Sequence, residues 1–293
     1  MKQRVITGLI MGLILIPLLA IKEIQFLFEA VMLLGVMVAS NEIINLSKNI
    51  KKTPITNRII IILLTVLVYL AVVFECTNNE NVVLIKYPFG LGPTSIVVML
   101  VLLTLMVFSK DFDGVELGRA FTAICYSGIC LGALGSLRII GVRFIAYLFM
   151  VTMCTDIFAY FGGYLFGKHK MAPVISPKKT WEGAIVGSAV AVLLATLFAV
   201  FYGNIFEGKS LNLFQTAGLF LDIKGTWLVV ITVLITLGMS ICGQIGDLVA
   251  SRLKRTYDVK DYSNLFPGHG GVMDRFDSAM FAALIMVIIF IIF

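Results

Sequence analysis

Residues 251–278 read SRLKRTYDVKDYSNLFPGHGGVMDRFDS, a run with nine charged residues of both signs set between two apolar segments. Upstream, Trp227 to Gly246 is twenty residues without a charge, and downstream Ser278 to Phe293 is uncharged. An apolar run of about 20 residues is the length that crosses roughly 30 Å of hydrocarbon as a helix. The charged run therefore reads as polar machinery held beside a membrane.

Composition agrees with this. The chain has 293 residues, 59% of them hydrophobic and 14% charged, with a mean hydropathy of +1.01. A soluble domain is nearer a quarter charged. The net charge of +6 does not point to nucleic acid, because no soluble stretch is long enough to carry a basic domain. The expected fold is an all-α polytopic membrane protein of about nine transmembrane helices. Their cores are expected at residues 5–21, 26–46, 59–74, 95–109, 120–137, 143–166, 183–203, 227–246 and 275–293. The weakest patterns are the second, which carries Glu29 and Glu42, and the fourth, which is short. Lys2 and Arg4 before an apolar run resemble a signal peptide, but no persuasive small-residue cleavage site follows. The run is read as a retained first span.

Lysine and arginine set the orientation, because cytoplasmic loops are enriched in both. With nine spans, the N-terminus and the loops after spans 2, 4, 6 and 8 hold 17 of them, against 6 on the other side. The N-terminus and residues 251–278 are thus expected in the cytoplasm. Spans 1–5 (residues 1–142) form an N-terminal part. Spans 6–9 (residues 143–293) form a catalytic part with cytoplasmic loops 167–182 and 247–275. Lys48, Lys51, Lys52 and Arg58 read as ordinary basic anchors. The five cysteines contain no CxxC pair and the two histidines, His169 and His269, are far apart in sequence, so neither a disulfide framework nor a zinc site is implied.

Where span 8 leaves the membrane, Ser240, Gln244, Asp247, Ser251 and Lys254 are spaced by four, three, four and three residues and share one helix face. An ionisable residue at membrane depth is expensive and implies a function and a partner. The 16 uncharged residues 278–293 make only about 24 Å of helix, so the last span is expected to begin near Asp274, with Asp274 and Asp277 on one face. Neighbouring carboxylates repel unless a cation joins them. Oxygen ligands at a water-accessible rim suit magnesium, which keeps waters and shares its sphere with phosphates. Asp247 and Asp274 are the candidate metal ligands. Asp277 is either a third ligand or the partner that orients Arg275 or a lysine. Lysines, arginines and the PGHGG turn add phosphate-binding groups, since glycine lets backbone amides approach an anion. A second polar loop, GKHKMAPVISPKKTWEG (167–183), presses against the start of span 7, and the polar ends of spans 6 to 9 are expected to converge on one cavity.

Ser251, Lys254-Arg255, Lys260-Asp261, Ser263, Pro267, His269-Gly270-Gly271 and Asp274-Arg275-Phe276-Asp277 resemble, at their spacings, the signature of the phosphatidate cytidylyltransferases, or CDP-diacylglycerol synthases. The resemblance extends to residues 155–170 and to SPKKTWEG (176–183). It implies transfer of the cytidylyl group of CTP to phosphatidic acid, giving CDP-diacylglycerol and pyrophosphate for phospholipid biosynthesis, with magnesium required. A second cation is compatible with the site. Asp247, Asp274, Asp277, Lys260 and Arg275 become the candidate catalytic residues. Lys178, Lys179, Lys254 and Arg255 are candidate phosphate ligands, with Ser176, Thr180 and His269 as uncharged or switchable donors. Glu182, Ser251, Asp261, Gly270 and Gly271 complete the substrate-binding set. The partners are CTP, phosphatidic acid and the bilayer, with no nucleic acid and room for a homo-oligomer. The location implied is a bacterial plasma membrane with the site on its cytoplasmic face. Two alternatives remain: a CTP-dependent lipid kinase, and a cation-coupled transporter with Asp156, Asp247 and Asp274 on an ion path.

Overall fold

Asp113 caps a helix at Gly114, its carboxylate accepting the amides of Val115 and Glu116 at 2.9 and 3.0 Å, so the fifth apolar segment starts well before the expected residue 120. In the computed structural model, which describes residues 2–47, 51–77 and 90–292, ten helices run in order. They are α1 (Lys2–Ala20), α2 (Gln25–Leu46), α3 (Ile55–Cys76), α4 (Leu91–Phe108), α5 (Gly114–Ala123), α6 (Cys130–Ile140), α7 (Val142–Phe166), α8 (Trp181–Tyr202), α9 (Thr226–Thr256) and α10 (Met273–Ile292). A π-helical segment, Ile124–Ile129, joins α5 to α6 into one span, Gly114–Ile140. Spans 6, 7, 8 and 9 are α7, α8, α9 and α10. Lys48 and Lys86 lie outside the described residues.

The protein is an all-α polytopic membrane protein. Among the described residues, eight helices are long and apolar enough to cross a membrane. The first expected span is met by a shorter apolar stretch, Thr7–Ala20. Helix α9 has 31 residues, about 46 Å, and overshoots the hydrocarbon as the polar stripe requires. Helix α10 starts at Met273, where the length argument placed it. The loop between α7 and α8 folds into an antiparallel hairpin, β1 (Lys170–Ala172) with β2 (Ser176–Thr180), pairing Lys170 with Thr180 and Ala172 with Ser176. Two strands of three and five residues are too short to leave a period in the sequence.

The chain divides into two units, residues 1–140 with 253–276 and residues 141–252 with 277–293. The signature stretch groups with the N-terminal helices. In that first unit α3 packs on the α5–α6 span through glycines. A Cβ on Gly128 would stand 3.0 Å from the Thr65 carbonyl, and one on Gly132 2.9 Å from Val72. Arg138, expected in a loop, is 2% exposed at the end of α6 and donates to the Ile21 carbonyl at 2.9 Å.

In the second unit α7 and α8 pack most closely. A Cβ on Gly183 would lie 2.5 Å from the Ala159 carbonyl, and one on Gly187 2.5 Å from that of Thr155. This small-xxx-small spacing brings membrane helices to backbone contact. Within the same unit α9 adds a polar seam, with Ser240 bonded to Thr155 at 2.8 Å and to Ser188 at 2.9 Å. The stripe read from the sequence thus faces protein.

Candidate active site

The hairpin is fixed where the chain passes from α7 to α8. Thr180 caps α8, its hydroxyl accepting the Gly183 amide at 3.2 Å, and the Trp181 amide donates to the His169 carbonyl at 3.0 Å. Glu182, in the first turn, accepts from the His169 backbone at 3.2 Å and contacts its Nδ1 at 2.6 Å. Glu182 is therefore a clamp on the hairpin base. Ser176 stands opposite Ala172 in the ladder.

The hairpin and the ends of α7, α8 and α9 enclose a cavity of about 420 Å³. Lys170, Lys178 and Lys179 line it, together with Asp156, Asp247 and the rings of Tyr160 and Tyr164. Lys179 Nζ lies 2.5 Å from Asp247 Oδ2 as an ion pair, so a cation and a carboxylate stand side by side on the cavity wall. Ser251 donates to Asp247 Oδ1 at 3.3 Å. Ser278, from α10, donates to Asp156 Oδ2 at 3.4 Å. Asp156, weighed from the sequence only for an ion path, is thus a member of this site. Three lysines and two aspartates thus line one void at the ends of membrane-spanning helices.

The other half of the signature is organised inside the first unit. Asp274, 9% exposed, accepts from Lys254 Nζ at 2.6 Å, the Tyr262 amide at 2.8 Å and the Gly271 amide at 2.9 Å. The anion approached by Gly271 is the protein's own carboxylate. Gly268 and Gly270 have φ of 77° and 81°, a conformation that favours glycine. A Cβ on Gly270 would lie 2.6 Å from Asp274 Oδ2. Phe266 and Gly270 exchange two backbone hydrogen bonds, closing the turn around His269. Lys260, Asp261 and Arg275 are exposed. Arg255 is also exposed and donates to the Val259 carbonyl at 2.9 Å. Asp277, in the second unit, accepts the Ser278 amide at 2.8 Å. Asp247 belongs to one unit and Asp274 to the other. Among the described residues no group of three or more His, Cys, Asp or Glu side chains is clustered as a metal site.

Sequence reasoning missed Glu42. It is 3% exposed and accepts the amides of Val272 and Met273 at 3.0 Å each and the Ser263 hydroxyl at 2.7 Å. A carboxylate thus receives the amide just before α10 and the first amide of the helix, where helix N-termini favour negative charge. The one signal available was a glutamate in an otherwise apolar span.

The chain is similar to known proteins over its whole length. It is 31% identical over 292 residues to the phosphatidate cytidylyltransferase of Staphylococcus haemolyticus (strain JCSC1435), covering 99% of each chain. It is 32% identical over 292 residues to that of Staphylococcus epidermidis (strain ATCC 12228 / FDA PCI 1200), again covering 99% of each. To that of Bacillus subtilis (strain 168) it is 41% identical over 187 residues, 62% of each chain. With a family model matching residues 2–293, the chain belongs to the cytidylyltransferase family.

Proposed function

We propose that the protein transfers the cytidylyl group of CTP to phosphatidic acid at the cytoplasmic face of a bacterial plasma membrane, releasing pyrophosphate. The observation that carries this reading is the lysine- and aspartate-lined cavity at the hairpin, on a chain of this family. One substrate is soluble and highly anionic and the other is a lipid, so the site must stand at the interface. Neither the lipid-kinase nor the transporter alternative draws support from the family match.

The reaction needs no covalent protein intermediate. An oxygen of the lipid phosphate, already ionised, attacks the α-phosphorus of CTP. The bond from that phosphorus to the β-phosphate bridging oxygen breaks, and pyrophosphate leaves with the electron pair. The chain's task is then positioning and charge neutralisation. Lys178 and Lys179 hold phosphate oxygens in the cavity, with Lys170 beside them on the paired strand. Lys260 and Arg275, both exposed in the other unit, are assigned to phosphates on the family signature alone.

The donor set fits magnesium. Asp247 and Asp156 present carboxylates to one cavity, and magnesium binds through one or two carboxylates plus substrate phosphates and water. When bound, the ion would neutralise charge on the transferring phosphoryl group. Asp274, the other expected ligand, holds three donors inside its own unit and would take up a cation by exchanging Lys254.

The test is a purified-protein assay with phosphatidate and CTP labelled on either the α- or the γ-phosphorus. Label from the α-position should enter lipid and label from the γ-position should leave as pyrophosphate. Asp247→Asn and Lys179→Ala should each lower kcat/KM on the order of 10²-fold, while Lys51→Ala, whose side chain pairs with Asp113 at 3.0 Å, should not. Transfer of γ-label to lipid, or full activity of Asp247→Asn at limiting magnesium, would reject the reading.

A further inference from the structure

Beside the lysine-lined cavity lies a second void of about 440 Å³, between one face of α8 and one face of α9. Trp181, Ile185 and Ala189 line it from α8, and Leu237, Ile241 and Ile245 from α9. Ser188 and Gln244 are the polar side chains on its wall, and they are spent on each other at 2.8 Å. The two voids share Met171, Ala184 and Gln244. The lysine-lined chamber therefore adjoins, across these three residues, an apolar groove on helices with the length and hydropathy of membrane spans.

We propose that this groove seats one acyl chain of the lipid substrate while the phosphate of the same molecule lies among Lys170, Lys178 and Lys179. The inference rests on the function proposed above and specifies where its lipid binds. Dimensions support the assignment. Trp181 to Ala189 is eight residues, a rise of about 12 Å, and Leu237 to Leu248 is eleven, about 16 Å. Half of a roughly 30 Å hydrocarbon core is about 15 Å, so the groove is one leaflet deep. Trp181, 54% exposed, stands at the hairpin end, and tryptophan concentrates where hydrocarbon meets the polar interface. The sign of the charge agrees as well: a phosphate monoester carries about −1.5 to −2 at neutral pH, and the chamber's three lysines outnumber its two aspartates. A water-soluble phosphate would use the chamber and leave the groove empty, whereas a lipid phosphate fills both.

The test uses phosphatidate carrying a diazirine midway along one acyl chain, with the full-length protein in phosphatidylcholine nanodiscs. Adducts should concentrate on groove residues such as Ile185 and Ile241. Unlabelled phosphatidate should compete them away and excess phosphatidylcholine should not. Ala189→Phe, which fills the groove from an exposed position, should cut this labelling. It should also raise KM for long-chain phosphatidate about tenfold relative to a six-carbon analogue, the loss expected from displacing two methylenes, with KM for CTP unchanged. Leu237→Phe repeats the experiment from the opposite wall. Labelling spread over the outward faces of all spans, which means annular lipid only, overturns the proposal. So does capture of a second copy of the chain at Ile241. If the wild-type protein makes no cytidylyl lipid, the functional reading falls, while the labelling pattern still decides the groove.

Discussion

Glu42 shows how a single carboxylate can organise a segment more than two hundred residues away. Its oxygens receive the Val272 and Met273 amides and the Ser263 hydroxyl, and at 3% exposure water cannot replace them. Each buried donor left without an acceptor costs about 1–3 kcal/mol. Glu42→Ala should therefore lower the melting temperature in detergent by several degrees and make residues 263–273 sensitive to protease. Glu42→Gln should fall between it and wild type, because the amide can accept from one partner but presents its own N–H to another. Unchanged melting and proteolysis in Glu42→Ala would show that the loop is ordered by other contacts. No sequence pattern could have named this residue's partners, since periodicity reports only neighbours on one element. Asp274 was legible as acidic and as the start of the last helix. Its three intramolecular donors were not, because two of them are backbone amides of a loop whose path depends on Gly268 and Gly270.

Among the elements, those bounded by charge were read well and those bounded by backbone chemistry were not. Helices α7 and α10 start or end close to their expected limits because polar residues flank uncharged runs. The span Gly114–Ile140 begins early because Asp113 caps it, and its π-helical turn has no hydropathic mark. The packing of α7 on α8 has no hydropathic mark either, and it is the structure that gives the glycines of α8 their reason. On Gly187 a Cβ would meet the Thr155 carbonyl at 2.5 Å, which is backbone and cannot swing aside. Gly187→Ala should force the helices apart at a cost of about 1–3 kcal/mol and distort the adjoining lysine cavity. Both the melting temperature and kcat/KM should drop. Gly118→Ala on α5, where nothing lies within 4 Å, should leave activity intact and stabilise by up to about 1 kcal/mol. Equal behaviour of the two variants would mean that α7 and α8 tolerate separation.

For the whole molecule, the distribution of cations is the argument for which side of the membrane holds the hairpin. The division of 17 to 6 counts every expected span as crossing. If α1, whose apolar stretch Thr7–Ala20 is short, does not cross, Lys2 and Arg4 change sides and the division becomes 15 to 8. The sign survives, since the loops after spans 2, 4, 6 and 8 hold most of the lysine and arginine in either case. Two cations so counted, Arg119 and Arg138, lie inside the span Gly114–Ile140 rather than in loops, one from each group, so removing them leaves the bias in place. Substrate supply points the same way, because a nucleoside triphosphate is available on the cytoplasmic face. Single cysteines can test this in a background lacking the five native ones, all of which are free. Cysteines replacing Asp111 and Val174 should react with a membrane-impermeant maleimide only in inverted vesicles. Those replacing Lys209 and Asp222 should react only in intact cells. All four positions are exposed, so silence cannot be blamed on burial, and the reverse pattern would place the lysine cavity away from the cytoplasmic nucleotide and sink the proposed reaction with it.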